Sequence, residues 1–454
     1  MATQDSNIRI KSVKVTGLFG LYDHQVTLKD DRVTVIHGPN GVGKTVLLKL
    51  TNSFLRGRYN EIVRVPFRIF EILFDDESIA RIYVVEDEPN TPKKLRITFE
   101  APAQSSDSVE LEGESLNTQK IAQQIAESSP YLSQVGPEEW MDRRSDEVLS
   151  AEDILERVGD FTSKEVEIWA AREPKGLREL RARINVHLIE AQRLIRLSGQ
   201  PSEWRFRHGR ERTTTATVQE YSRDLKRRLE TALANYAKQS QKLDQSFPQR
   251  LLQGALSPLP IEKLKIEMQT VEATRDRLKR IGVLDRGDPS QDAYPLEVSQ
   301  LDSLQASQLS VMSVYARDTK EKLSVLEALS DRIEILLTVL NRKFTNKTVT
   351  ISRESGLAIF GKDEKPIPVT ALSSGEQHEL VLLYDLLFKV KPNTLVLIDE
   401  PELSLHISWQ KAFMEDLLEI IRIAHFDVLV ATHSPYIAGD RSDLLVVLSP
   451  DVSA

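Results

Sequence analysis

The chain has 454 residues, enough for two or three compact units with a substantial core, and its 60 Lys and Arg face 68 Asp and Glu for a net charge of −8. That balance argues neither for nor against DNA, so any nucleic-acid contact requires a local basic patch. The absence of cysteine rules out disulfides, thiolate zinc sites and a cysteine nucleophile, and permits a reducing compartment.

The opening MATQDSNIRIK lacks the apolar core of a secretion signal, and no apolar run nears the ~18 residues that span a bilayer. A soluble cytoplasmic protein without membrane contact is the expectation. The first 60 residues read as strand, turn, strand, loop and helix: IRIKSVKVTGL, HQVTL, RVTVIHG, a Gly-rich loop and KTVLLKLTNSFLRG. Residues 66 to 101 alternate in FRIFEILF, IARIYVVE and KLRITFE, which predicts an antiparallel sheet beside an α/β core. From 103 to 182 the chain is polar and acidic, with helical fragments NTQKIAQQIAES and SAEDILERVGD and no legible function. INVHLIEAQ (184 to 192) is a buried strand with a polar end.

Between 213 and 344 the period changes to three-and-four spacing: Val218, Tyr221, Leu225 and Leu229, then Ile261, Leu264, Met268, Val271, Leu278 and Ile281. Prolines 248, 258 and 260 interrupt this first arm. After the turn-rich GVLDRGDPSQDAYP, a return arm from 296 to 343 repeats the seam with Leu301, Leu304, Leu326, Leu329, Ile333, Leu336 and Leu340. An antiparallel helical hairpin follows, its return arm reaching roughly 70 Å. One face of an ordinary bundle would show the same stripe. The rest, through LSSGEQHELVLLYDLLF, NTLVLIDE and DVLVATHS, returns to α/β alternation.

Gly38, Pro39, Asn40, Gly41, Val42, Gly43, Lys44 and Thr45 lie between an apolar strand and a helix, the setting of a phosphate-binding loop. The glycines let backbone N–H groups converge on phosphates, Lys44 brings a charge to the β and γ groups, and Thr45 offers its hydroxyl to magnesium. In TLVLIDEP (394 to 401) two carboxylates end a buried strand, where open α/β sheets hold ligands. Adjacent acids call for divided roles, with Asp399 holding Mg²⁺ and Glu400 taking a proton from the attacking water. His433 ends the VATHSP strand within reach of a γ-phosphate or that water. Gln192 suits a contact with magnesium or water. LSSGEQ (372 to 377) opens a helix with free N–H groups suited to an anion.

In this order GPNGVGKT, a strand-end glutamine, LSSGEQ, an aliphatic-DEP strand and THSP resemble the ABC-type ATPases of the SMC, RecF and OLD group, over roughly residues 8–60, 184–197 and 348–440. IDEPELSLH, GEQHEL and HLIEAQRL look most like the OLD-like AAA ATPases of bacterial antiphage systems. The resemblance implies an α/β fold, an ABC-type P-loop ATPase core of mixed sheet and antiparallel β subdomain with an inserted antiparallel coiled-coil hairpin. Its parts would be an N-terminal ATPase lobe at 1–200, the hairpin at 213–344 and a C-terminal ATPase lobe at 345–454. It implies ATP and Mg²⁺ as ligands, and a homodimer or higher homo-oligomer in which Ser373, Ser374, Gly375 and Glu376 meet the γ-phosphate held by a second copy. Glu402, Leu403, Ser404 and Leu405 take the place of the loop that crosses the dimer seam. The chain departs from the family pattern at Ser374, where a second glycine is usual, and in the glutamine displaced behind Glu376.

About 20 residues follow His433, so the metal nuclease domain of OLD nucleases is not expected. The resemblance therefore implies an ATPase that senses a ligand and controls a separate effector, a nuclease or toxin, in antiphage defence. A RecF-like ATP-dependent DNA-binding repair factor is the alternative. The long hairpin counts against a third reading, the energy subunit of a membrane transporter. SEWRFRHGRER (202 to 212) gathers four arginines, a histidine and two aromatics, which suits nucleic acid, a protein partner or a solvated loop equally.

Overall fold

A computed structural model describes residues 8–85, 94–102, 106–111, 118–137, 139–143, 147–156, 173–190, 195–196, 215–252, 258–285, 305–403 and 405–449. Gln192, the stretch 202–212, Leu301, Leu304 and Ser404 lie outside the described residues. The chain divides into two compact units, residues 1–215 with 389–454, and residues 216–388.

The first unit opens with β1 (Ile10–Leu18), β2 (Tyr22–Thr27), β3 (Val33–His37), α1 (Lys44–Arg56) and α2 (Tyr59–Ile62). It continues with β4 (Ile69–Phe74), β5 (Ile79–Val85), β6 (Lys94–Glu100) and β7 (Asp107–Leu111). An antiparallel sheet of order β2-β1-β4-β5-β6-β7 results. Its strands alternate because one face packs inward and the other meets water, as with Val13, Val15, Phe70, Ile72, Ile82 and Ile97 in the core while Arg81 bridges Glu71 and Glu100 outside. Next come α3 (Thr118–Ser128), β8 (Leu132–Gly136), β9 (Glu139–Asp142), β10 (Glu147–Ser150) and α4 (Ala151–Glu156). They enclose a small core of their own around Ile121, Ile125, Trp140, Leu149 and Ile154. The two helices coincide with the helical fragments read in the acidic segment, and the three-stranded sheet was not foreseen there.

Then follow α5 (Lys175–Arg181), β11 (Asn185–Ile189) and the two-residue strands β12 (Ile195–Arg196) and β13 (Thr215–Ala216). Arg181 donates to Glu173 and to the carbonyls of Phe54 and Leu55, and so caps the C-terminal end of α1 with a cation. The Tyr59 hydroxyl donates to the same Glu173 at 2.7 Å, and burial holds its proton affinity well above the ordinary phenol.

In the second unit lie α6 (Thr217–Leu252), α7 (Ile261–Arg280), α8 (Ala306–Lys343), β14 (Lys347–Ser352), β15 (Gly356–Gly361), β16 (Pro366–Ile367) and α9 (Ser374–Tyr384). The antiparallel hairpin pairs α6 with α8, through Gln239 to Glu321, Lys322 to Asp244 and Arg250 to Asp318. The course of the first arm differs from the expectation. The chain has already doubled back by Pro260, for Leu259 N–H donates to Ser313, and α7 runs parallel to α8 with Lys320 on Glu267, Arg277 on Asp331 and Arg280 on Glu334. The turn expected at the far end begins instead beside β14: Gly282, at φ 80, lies so close to the Ile351 carbonyl that a Cβ would come within 2.8 Å of its oxygen.

Helix α9 joins this unit through two lysines. Lys343 forms a buried ion pair with Glu379, and Lys347 binds the carboxylate of Glu376 at 2.6 and 2.7 Å. Tyr384 donates to Asp224 at 2.7 Å, Tyr221 donates to Asp385, and the Tyr221, Tyr384 and Phe388 rings stack at 4.5 and 4.7 Å. A π-helical turn, Asp385–Lys389, follows. The division at 388/389 falls well beyond the boundary expected at 345, since β14–β16 and α9 pack within the helical unit.

The chain returns to the first unit with β17 (Thr394–Asp399), α10 (Ile407–Ala424), β18 (Asp427–Thr432) and β19 (Leu445–Val447). All strands of the sheet β11-β17-β18-β3-β19 are parallel. Every residue of β17 is buried, as a strand covered on both faces requires. Among the described residues no helix is long and apolar enough to cross a membrane.

Breaking the Lys343–Glu379 pair takes the lysine cation away from a buried carboxylate. Lys343→Met should cost about 3–5 kcal/mol of unfolding free energy, and adding Glu379→Leu should restore most of it. Urea denaturation followed by helical circular dichroism reads the difference, and equal losses in single and double variants would contradict it.

Candidate nucleotide-binding site

The loop Gly38–Gly43 leaves the carboxyl end of β3 and feeds α1. Gly41 and Gly43 stand at φ 84 and 96, a left-handed region costly to other residues, and a Cβ on Gly43 would meet the Leu18 side chain at 2.5 Å. His24 Nε2 lies 2.7 Å from the Val42 carbonyl and pins the loop from the side. Lys44 is only 5% exposed, and its ammonium donates to the carbonyls of Gly38 and Pro39 at 2.8 and 2.9 Å. Both acceptors are neutral, which leaves the charge suited to an arriving anion.

Thr45 Oγ1 donates to Asp399 Oδ1 at 2.8 Å and so ties this loop to the end of β17. Burial raises the proton affinity of Asp399, with Thr45 and Lys49 opposing and Glu190 and Glu402 reinforcing. A threonine hydroxyl and a carboxylate whose charge is penalised by burial form a hard-oxygen set suited to Mg²⁺.

Glu400 begins the next loop at φ 46, an unusual conformation for a residue with a Cβ, and its N–H donates to the Ala431 carbonyl at 2.8 Å. Burial and then the neighbouring Glu402 raise its proton affinity, while His433 and Lys44 lower it. His433, one residue past β18, sets Nδ1 against Glu400 Oε2 and 3.1 Å from Glu402 Oε1. Two carboxylate oxygens at one nitrogen place the ring hydrogen on Nδ1.

Of the residues expected from sequence, Gly38 to Thr45, Asp399, Glu400 and His433 therefore meet at the carboxyl ends of β3, β17 and β18. Ser373, Ser374, Gly375 and Glu376 fall in the helical unit. There Ser373 is the N-cap of α9, and Glu376 accepts from its N–H and hydroxyl at 2.8 Å, completing a capping box. Although burial works the other way, the bonds from Lys347 and Ser373 lower the proton affinity of Glu376. Its carboxylate is thus directed to its own helix start, and the α9 opening offers backbone N–H groups instead.

Two features escaped the sequence reading. Phe19, exposed and at φ 56 in the turn after β1, brings its ring to 3.9 Å from where a Gly43 Cβ would stand. Its signal was an aromatic between glycines in GLFG. Glu402, placed by resemblance in the loop at the dimer seam, turns its side chain inward, where it is buried and accepts from Thr432, His433 and Ser434. A second acid two residues after Glu400 was the only hint.

The sequence model of the family described as AAA ATPase domain matches residues 9–438. The chain belongs to the AAA ATPase domain family. The loop, the acids and the histidine all lie within the matched residues. No curated protein matches the chain. Among solved structures, this ATPase is similar to the Pyrococcus furiosus Smc head domain with an extended coiled coil bound to the C-terminal domain of ScpA, at 13% identity, 97% and 94% coverage of this and that chain, and TM-score 0.34. It is also similar to an SmcHead bound to the C-winged helix domain of ScpA (11%, 98% and 97%, 0.36) and to the SMC head domain from Thermotoga maritima (12%, 97% and 95%, 0.31).

The buried Asp399 charge destabilises this ATPase when no cation offsets it. A raised carboxyl proton affinity in the fold is a penalty present at neutral pH and absent once Asp399 is protonated in both states. Without nucleotide or divalent cation, Asp399→Asn should therefore gain about 1 kcal/mol at pH 7–8 and nothing below the ordinary carboxylate range. Melting curves across pH check this, and a lower Tm for the variant at pH 8 would refute it.

Proposed function

We propose that the protein binds and hydrolyses ATP as an assembly of at least two copies and uses that cycle to control a separate effector. The observation that carries the hydrolytic part is the meeting of Thr45 with Asp399 and of Glu400 with His433 at one end of the parallel sheet. In this reading the N–H groups of Gly41 to Thr45 cradle the phosphates. Lys44 moves from its two carbonyls to the β- and γ-phosphate oxygens. A magnesium ion held by Thr45 and Asp399, with Gln192 completing the set, would neutralise the charge of the β- and γ-phosphates.

Glu400 takes the proton of the attacking water, and burial favours its role by strengthening its hold on a proton. His433, carrying its hydrogen on Nδ1, presents Nε2 toward the γ-phosphate. Ser373, Ser374 and Gly375 act on the nucleotide of a second copy through the open end of α9. The exposed side chains of Leu403, Ile407 and Tyr436 support such an assembly, since apolar groups beside a catalytic edge gain by being covered.

The resemblance to OLD-like ATPases supports antiphage defence as the setting, with a nuclease or toxin as the effector. The test separates this from RecF-like DNA maintenance. Lys44→Ala should weaken ATP binding at least about tenfold, whereas Glu400→Gln should keep ATP, lower turnover about 10²- to 10⁴-fold and accumulate the dimer in light scattering. Parent-like nucleotide affinity in Lys44→Ala would overturn the loop assignment. Strong, salt-dependent duplex binding by ATP-loaded Glu400→Gln would favour the DNA-maintenance reading over a partner-controlled switch.

A further inference from the structure

Strand β18 ends at Thr432, and the two backbone N–H groups that follow have no strand partner. Both donate to one carboxylate oxygen, Glu402 Oε1, at 2.9 Å from His433 and 3.0 Å from Ser434, and the Thr432 hydroxyl donates to that same oxygen. Glu402 is 5% exposed. It stands on the loop that leaves β17 with Asp399 and Glu400, so one side chain ties the backbone of His433 to the strand that carries the acids. The Ser434 hydroxyl extends the tie to α10 by donating to Gln410 at 2.7 Å.

We propose that Glu402 is a positioning residue for the Glu400–His433 pair. It holds the 432–434 segment by three hydrogen bonds at a single oxygen, one of them from the His433 N–H, and it stands 3.1 Å from the ring Nδ1 beside Glu400. A carboxylate is suited to this because one anionic oxygen accepts several donors at once. An alanine takes the acceptor from the His433 N–H, leaves the Ser434 N–H and the Thr432 hydroxyl to each other, and leaves the ring held by Glu400 alone. A glutamine keeps Oε1 in place. Glu402 acts through His433 and touches no reacting atom. The proposal rests on the hydrolytic reading above for its effect on turnover, but its geometric content does not.

Steady-state ATP hydrolysis, direct ATP binding and imidazole ¹⁵N NMR of the full chain test it. Glu402→Ala should lower kcat about 100-fold, the loss a displacement of about 1 Å can cause. KM and ATP affinity should remain within about twofold, and Glu402→Gln should keep at least about a third of kcat. Thr432→Val, which removes one of the three donors without changing volume, should lower kcat about threefold at unchanged KM, and serves if Glu402→Ala does not fold. In NMR, the His433 imidazole ¹⁵N resonances should agree between the parent and Glu402→Gln and shift in Glu402→Ala, where Glu400 alone faces Nδ1. Parent-like kcat in Glu402→Ala and Thr432→Val, equal losses in Glu402→Ala and Glu402→Gln, or a parallel fall of ATP affinity and kcat overturns the proposal. If the parent does not hydrolyse ATP, the functional reading fails and the NMR comparison alone decides, with an unchanged His433 spectrum in Glu402→Ala counting against Glu402.

Discussion

The hydrogen bond from Thr45 to Asp399 joins residues 354 positions apart, and the architecture of the first unit follows from making it possible. β3 and β17 are not neighbours; β18 lies between them. Their ends meet because the sheet is parallel throughout, so the carboxyl ends of β3, β17 and β18 share one edge. Parallel strands need long crossovers, and these leave room for large insertions. The longest occupies the stretch between β11 and β17, where the whole helical unit is inserted.

Bringing these loops together concentrates charge where water is scarce. Asp399 and Glu400 both hold protons more firmly than ordinary carboxylates because they are buried. Lys44 is buried against neutral carbonyls, Glu400 adopts a left-handed backbone, and the loop needs glycine at 41 and 43. A fold selected for stability alone would avoid each of these. Their coincidence at one edge is the physical mark of a site built for a charged ligand.

The helical unit meets a different demand, the rigid placement of α9. Its capping box satisfies the helix start from within, and Lys347 and Lys343 hold Glu376 and Glu379 on two successive turns. Those acids belong to the GEQHEL run, so part of a motif that looked ligand-directed is devoted to anchoring the helix.

Residues 32–57 were legible in the sequence because strand, glycine loop and helix are contiguous and each follows local chemistry. The apolar runs of β17 and β18 likewise announced buried strands, and their terminal Asp399, Glu400 and His433 stood out by contrast. The short strands β8 to β10 did not, since four or five residues with polar members hardly differ from loop. Three-and-four spacing established that α6, α7 and α8 are helices with apolar seams, but a seam reads the same for a parallel or an antiparallel neighbour. Only packing against Ser313, Asp331 and Glu334 decided that α7 runs alongside α8 in the same direction. For Glu402 the reason is the same in smaller form: the sequence determined that an acid lies two residues beyond Glu400, and the unpaired N–H groups after β18 decided that it turns inward to meet them.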